Sequence, residues 1–226
     1  MSDSSSPRQL ALSLDHRENF APEDFLTGPS NMAALALVQR WPDWPAHVMA
    51  LVGPEGSGKS HLAAVWSTRA GAPTLPARAL AELDLPSVLA TGALVVEDLA
   101  PEVVDERALF HLLNLAREEG ASMLLIARTP PAGWTVALSD LASRLRALPT
   151  VHLAAPDDAL LRALLVKLFA DRQLAVDESL IAYLVSRIER SFAAARNIVT
   201  RLDREALRQQ RPVTRALAVE VLRRPE

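Results

Sequence analysis

The chain contains no cysteine. Disulfides, thiol catalysis and cysteine-ligated zinc are therefore excluded. No apolar run approaches the roughly 20 residues that a membrane-spanning helix needs, and the start lacks the basic-then-apolar pattern of a secretory signal. These absences lead to the expectation of a cytoplasmic protein with no membrane partner. Lysine is almost missing: of 24 basic residues only Lys59 and Lys167 are lysines. No internal repeat is visible. A formal net charge of −3 argues against a polyanion binder acting through overall charge. The charge is uneven, however, and residues 187–226 hold ten arginines against five acids. That local excess fits nucleic acid or an acidic partner, and equally a solvated helix face.

What is present is a chain of 226 residues, half of them hydrophobic. That suffices for one large domain or two small ones. Residues 1–18 read as a disordered tail, since Ser2, Ser4, Ser5, Ser6 and Pro7 build no core. Short apolar runs at 47–52, 93–96, 122–127 and 151–153 alternate with helical patterns at 59–70 and 104–119. Buried strands separated by helices predict a parallel sheet covered on both faces. The pattern changes at Pro156-Asp157-Asp158, a helix start with proline and acids in its first turn. Four helices without intervening strands are expected at 159–172, 178–188, 192–209 and 214–223. The predicted organisation is a tail (1–18), a P-loop α/β domain (19–155) and a small helical domain (156–226).

The sharpest motif is Gly53-Pro54-Glu55-Gly56-Ser57-Gly58-Lys59-Ser60, followed by His61. Its glycines let the backbone curl so that several N–H groups point at phosphate oxygens, and the helix that follows offers its positive end to the same anion. Lys59 is expected to reach the β- and γ-phosphates of ADP or ATP, and Ser60 to ligate Mg²⁺. About three chance matches are expected per ten thousand chains of this composition, and the strand before the loop and helix after it lower that further. The run Leu94-Val95-Val96-Glu97-Asp98 places carboxylates at the end of a second apolar strand, where Glu97 suits Mg²⁺ and Asp98 a catalytic base.

These blocks resemble the AAA+ module of the DnaA family, and among its members the short regulators of the Hda type. Asn19-Phe20, Phe25, Gly28 and Asn31 resemble the family's leading segment, which places Phe25 beside the base. Leu124-Leu125-Ile126-Ala127-Arg128-Thr129-Pro130-Pro131 resembles the sensor 1 strand, and Asp140-Leu141-Ala142-Ser143-Arg144-Leu145 the box VII helix. The helical end resembles the AAA+ lid. The chain stops after that lid, without a helix-turn-helix domain, and the expected outline is that of the Hda type. Gln9-Leu10-Ala11-Leu12-Ser13-Leu14 is similar to the sliding-clamp-binding motif, with Gln9, Leu10, Leu12 and Leu14 as contacts. The same leucines read without the resemblance could pack on their own domain.

The chain also departs from the family's pattern. Its acids run Glu97 then Asp98, where an active site orders Asp then Glu. Arg128 stands at the sensor 1 position usually held by a small polar or acidic residue. The sensor 2 arginine falls on Ala193, and Arg196 lies one helical turn further on. Arg144 resembles the family's arginine finger, with Arg146 as a nearby alternative. The resemblance thus implies a weak or absent ATPase that holds ADP or ATP, docks on the sliding clamp (the polymerase β subunit), and promotes ATP hydrolysis in the initiator DnaA. DNA would be reached through the clamp, at the replisome; self-association is left open. Two rivals fit the residues alone. One is a stand-alone P-loop ATPase or kinase, for which no acceptor pocket can be identified. The other is a helicase-loader-like binding protein.

Overall fold

The computed structural model describes residues 26–223. Its centre is a sheet of five parallel strands: β1 (Val48–Val52), β2 (Thr74–Pro76), β3 (Ala93–Leu99), β4 (Ser122–Ala127) and β5 (Thr150–His152). They lie in the order β2-β3-β4-β1-β5. The middle strands are apolar throughout, and their period-two alternation divides the side chains between two cores. Ala50, Val52, Leu94, Val96, Met123 and Leu125 pack on one face against α3 (Leu85–Leu89), α4 (Glu106–Glu119) and α5 (Ser139–Ala147). Met49, Leu51, Val95, Leu124 and Ile126 pack on the other against α1 (Met32–Arg40) and α2 (Lys59–Ala70).

A third core belongs to the helices that follow β5. These are α6 (Asp158–Asp171), α7 (Glu178–Val185), α8 (Phe192–Gln209) and α9 (Arg215–Arg223). Asp157, Asp177 and Ser191 start three of them, each side chain accepting from a backbone N–H in the first turn. The expected covered parallel sheet and helical end are both found. Strand β2 was not anticipated: it has three residues, ends in Pro76 and lies at the sheet edge, so it has neither length nor periodicity to reveal it. Helix α7 ends three residues before the expected 188. Among the described residues, no helix is long and apolar enough to cross a membrane.

A tryptophan cluster fastens α1 and α2 to the sheet. Trp66 is fully buried; Trp44 stacks on it at 4.9 Å and Trp41 meets it edge-on at 6.2 Å. Trp41 Nε1 donates to Ser122 Oγ at the start of β4, and Trp44 Nε1 to the Leu37 carbonyl. Replacing a buried tryptophan with alanine costs about 3–5 kcal/mol. Urea denaturation of Trp66→Ala should show a loss of that size. Leu207→Ala, at a site 67% exposed, should stay within about 0.5 kcal/mol of the parent.

Candidate nucleotide site

Sheet register assembles the site. In the β1–β4 pairing Val52 lies opposite Ala127, and in the β3–β4 pairing Leu99 does. The residues that follow these strands therefore emerge side by side at one carboxyl edge, where ligands of open α/β sheets bind. Gly53 begins the loop there and its N–H donates to the Ala127 carbonyl at 3.2 Å. Arg128 follows Ala127 on the central strand, between the loop on one side and Glu97-Asp98 on the other.

The loop has the backbone its glycines permit. Gly56 and Gly58 take φ +69° and +96°, a left-handed conformation costly for any residue with a Cβ. Gly58 leads directly into α2. Lys59 Nζ donates to the carbonyls of Gly53 and Pro54, both at 2.7 Å, and so arches over the loop. Burial holds the Lys59 ammonium below its ordinary value, and the Arg128 charge lowers it further. Ser57 Oγ is buried and makes no hydrogen bond. His61 is buried in the first turn of α2. A curled loop, an arched cation and an orphaned hydroxyl make a chemical fit for a polyphosphate.

Ser60 and Glu97 meet as the motif predicts, with Ser60 Oγ donating to Glu97 Oε2 at 3.3 Å. Burial pushes the Glu97 carboxyl up, and Asp98 adds to the rise against the opposing effects of the Ser60 hydroxyl and Lys59. One hydroxyl and one carboxylate suit Mg²⁺ shared with phosphate oxygens, since Mg²⁺ keeps water and substrate ligands rather than a protein cage. Consistently, no group of three or more His, Cys, Asp or Glu among the described residues could hold a metal by itself. Asp98 is exposed and takes φ +53° at the irregularity between Val96 and Leu99. It is turned out of the regular strand beside Glu97.

The start of α8 closes on the loop. The Phe192 N–H donates to the Gly56 carbonyl at 2.8 Å. A Cβ added to Gly56 would stand 2.6 Å from Ser191 Cβ and 3.6 Å from Ala193 Cβ. The helical part therefore presents an uncharged first turn to the loop, with Ala193 where the family resemblance places a cation. Arg196 sits one turn along α8. The leading segment joins the two parts: Asn31 Nδ2 donates to the Leu26 carbonyl, its Oδ1 accepts from Gly28, and Ala154 donates to the Ser30 carbonyl. Phe25, Gln9, Leu10, Leu12 and Leu14 lie outside the described residues.

Three contacts had no sequence signal. Arg128 Nη1 lies 2.8 Å from Glu55 Oε2 across the mouth of the site. Arg144, half-buried on α5, holds its guanidinium over Phe110 of α4 at 5.3 Å, while Arg146 donates to Ser143 Oγ. One turn before Phe110, Glu106 accepts from the backbone N–H groups of Ala137 and Leu138, both at 2.8 Å. Helix α4 thus fixes both the approach to α5 and its arginine. The acid in the first turn of α4 reads locally as a helix-dipole partner, and nothing local points to residues of the next loop.

A phosphate loop on a five-stranded parallel sheet, with a helical part resting on that loop, is the arrangement to be compared with known folds. No protein-family profile matches the chain, and no curated protein sequence does. Among solved structures, domain III of the Thermotoga maritima replication initiation protein DnaA is similar with TM-score 0.75 at 16% identity, the match covering 92% of this chain and 97% of that one. AMPPCP-bound DnaA from Aquifex aeolicus is similar with TM-score 0.66 at 16% identity, over 86% of this chain and 70% of that one. A FIGL-1 AAA domain in complex with ADP follows, with TM-score 0.63 at 16% identity, over 86% and 80%. The sheet corresponds to that of the AAA+ domains of DnaA, and the helical part to a lid.

The contact of loop and lid can be tested with two glycines of the same hand. Gly56 and Gly71 take φ +69° and +64°, but nothing lies within 4 Å of a Cβ at Gly71. Gly71→Ala should cost the left-handed penalty alone, about 1–2 kcal/mol. Gly56→Ala should cost measurably more in thermal denaturation, because Ser191 must also move.

Proposed function

We infer that the protein is a nucleotide-holding AAA+ regulator of replication initiation, which contributes an arginine to a partner's site and does little hydrolysis in its own. The observation that carries this reading is an intact phosphate loop met by a lid whose first turn sets Ala193, rather than a cation, against it. Bound ADP or ATP, with Mg²⁺ held by Ser60 and Glu97, would keep loop and lid together and stabilise the fold by mass action. When bound, Mg²⁺ would supply charge neutralisation for the phosphates. Asp98 is the residue placed to act as a base, and its exposed position on an irregular strand end favours weak catalysis, which is sensitive to ångström displacements.

Arg144 is the finger in this reading. A guanidinium offered across a subunit interface neutralises charge developing on a transferred phosphoryl group. Its support is the stacking on Phe110, which limits the conformations the side chain must give up. The partner is DnaA, whose AAA+ domain has the same fold, so an AAA+ to AAA+ contact would serve. The tail (1–18) would dock on the sliding clamp through Gln9, Leu10, Leu12 and Leu14, ahead of the nucleotide-binding domain (19–155) and the lid domain (156–226). DNA would then be engaged through the clamp.

ATP-loaded DnaA, DNA-loaded clamp and this protein should together hydrolyse ATP, with loss of signal when any component is left out. Arg144→Ala should lower the stimulated rate about 10³-fold or more, the scale of an arginine finger, with clamp binding intact. The triple change of Gln9, Leu12 and Leu14 to Ala should abolish clamp binding and leave nucleotide affinity unchanged. Steady ATP turnover by the isolated protein, lost in Lys59→Ala, would instead identify a stand-alone ATPase.

A further inference from the structure

We propose that the helical lid carries a nucleic-acid contact surface, formed by Arg187 and Arg215 around Tyr183, which binds phosphates of a DNA backbone without regard to sequence. The proposal goes beyond the role inferred above, in which DNA is reached only through the clamp. It depends neither on the nucleotide loop nor on Arg144.

The three residues come together where α7 packs on α9. Tyr183 lies on α7, Arg187 follows one turn later just past the end of that helix, and Arg215 opens α9. The phenol ring is partly buried against the lid core. The Arg187 guanidinium stands over it at 5.6 Å and the Arg215 guanidinium at 5.1 Å. One ring thus gathers two cations that are remote in sequence. The electron-rich ring attracts each of them, and the contact reduces the rotamer freedom that a long side chain gives up on binding.

Charge singles these two out. Several arginines of the lid are neutralised by a carboxylate: Arg162 by Glu178, Arg190 by Asp158, Arg208 by Glu205 and Arg211 by Glu220. Arg187 and Arg215 are exposed, and among the described residues neither has a carboxylate within ion-pair distance. Asp177 feels the charge of Arg215, but its carboxylate caps α7, accepting from the Leu180 N–H and the Ser179 hydroxyl. Two guanidiniums on one ring repel each other until an anion lies between them.

The anion that fits is a phosphate backbone. A nucleic-acid strand carries a charge about every 3.4 Å along its axis, and the planar guanidinium fork binds phosphate oxygens in pairs. A protein partner would look for an apolar centre. Here the large apolar residues next to the pair in sequence, Leu184, Ile188 and Leu217, belong to the lid core. What is exposed beside it is Ala182, Ser186, Thr214 and Ala216. A polar surface of positive charge has the character of a nucleic-acid interface. Such contacts position a protein on the backbone and carry no sequence information.

The test is fluorescence anisotropy of the full chain with a short labelled DNA duplex, repeated over a range of salt concentrations and with a second duplex of unrelated sequence. The parent should bind both alike. Arg187→Ala and Arg215→Ala should each lower the salt slope by about 1, as loss of one phosphate contact requires. The double variant should weaken binding about 10-fold or more at low salt. Arg187→Lys combined with Arg215→Lys should keep the slope, which a defect of folding would not. Arg117→Ala removes an exposed arginine of α4 and should leave the slope unchanged. Absence of binding by the parent, an unchanged slope in the double alanine variant, or an equal loss in Arg117→Ala would overturn the proposal. So would binding of poly-glutamate in place of DNA, which would assign the surface to an acidic protein. None of these results touches the clamp or Arg144 readings, since neither partner is present in the assay.

Discussion

The pairing of β1 with β4, Val52 against Ala127, is the constraint on which the rest of the molecule depends. It sets where the loop begins and where Arg128 emerges, while the pairing of β3 with β4 brings the acids near the end of β3 to the same edge. Side chains alternate along a strand, so a slip of one residue would send Leu51 and Ile126 to the wrong core and move every group at the edge. Both faces of the sheet are covered by buried apolar side chains, and a slip would therefore cost a large part of two cores. Geometry at the site is thus protected by packing far from it.

A second constraint acts on the loop from above. Gly56 has no room for a side chain under Ser191, and its carbonyl is taken by the first N–H of α8. The glycine that curls the loop is also the one on which the lid rests. Loop shape and lid position are consequently one variable at this point. On the opposite side, the segment from Leu26 to Asn31 is tied to Ala154 and lies against Leu160 of α6, so sheet and lid are joined at two separated places.

Much of this was legible in the sequence where the cause is local. The phosphate loop is eight consecutive residues whose types are dictated by backbone curl and charge. The inner strands are apolar because both faces are covered. The first lid helix is announced by Pro156 and Asp157, and Asp157 does cap it. What could not be read is set by contacts remote in sequence. Glu55 looks like an arbitrary loop residue until register carries Arg128 to it. Ala193 reads only as a missing arginine, and its position against Gly56 depends on how the lid docks. Strand β2 owes its existence to β3, which supplies its hydrogen bonds. The leucines of the tail fall outside the described residues, so the structure adds nothing to their reading.

Helix α4 fixes one further property. Glu106 accepts two backbone hydrogen bonds at the approach to α5, and Phe110, four residues later on the same helical face, underlies Arg144. The arginine is a bracket bolted to the wall of the sheet rather than an arm hinged on the lid. In the reading of Arg144 as a finger, its guanidinium is therefore positioned by α4 and α5 on the sheet and not by the helical part.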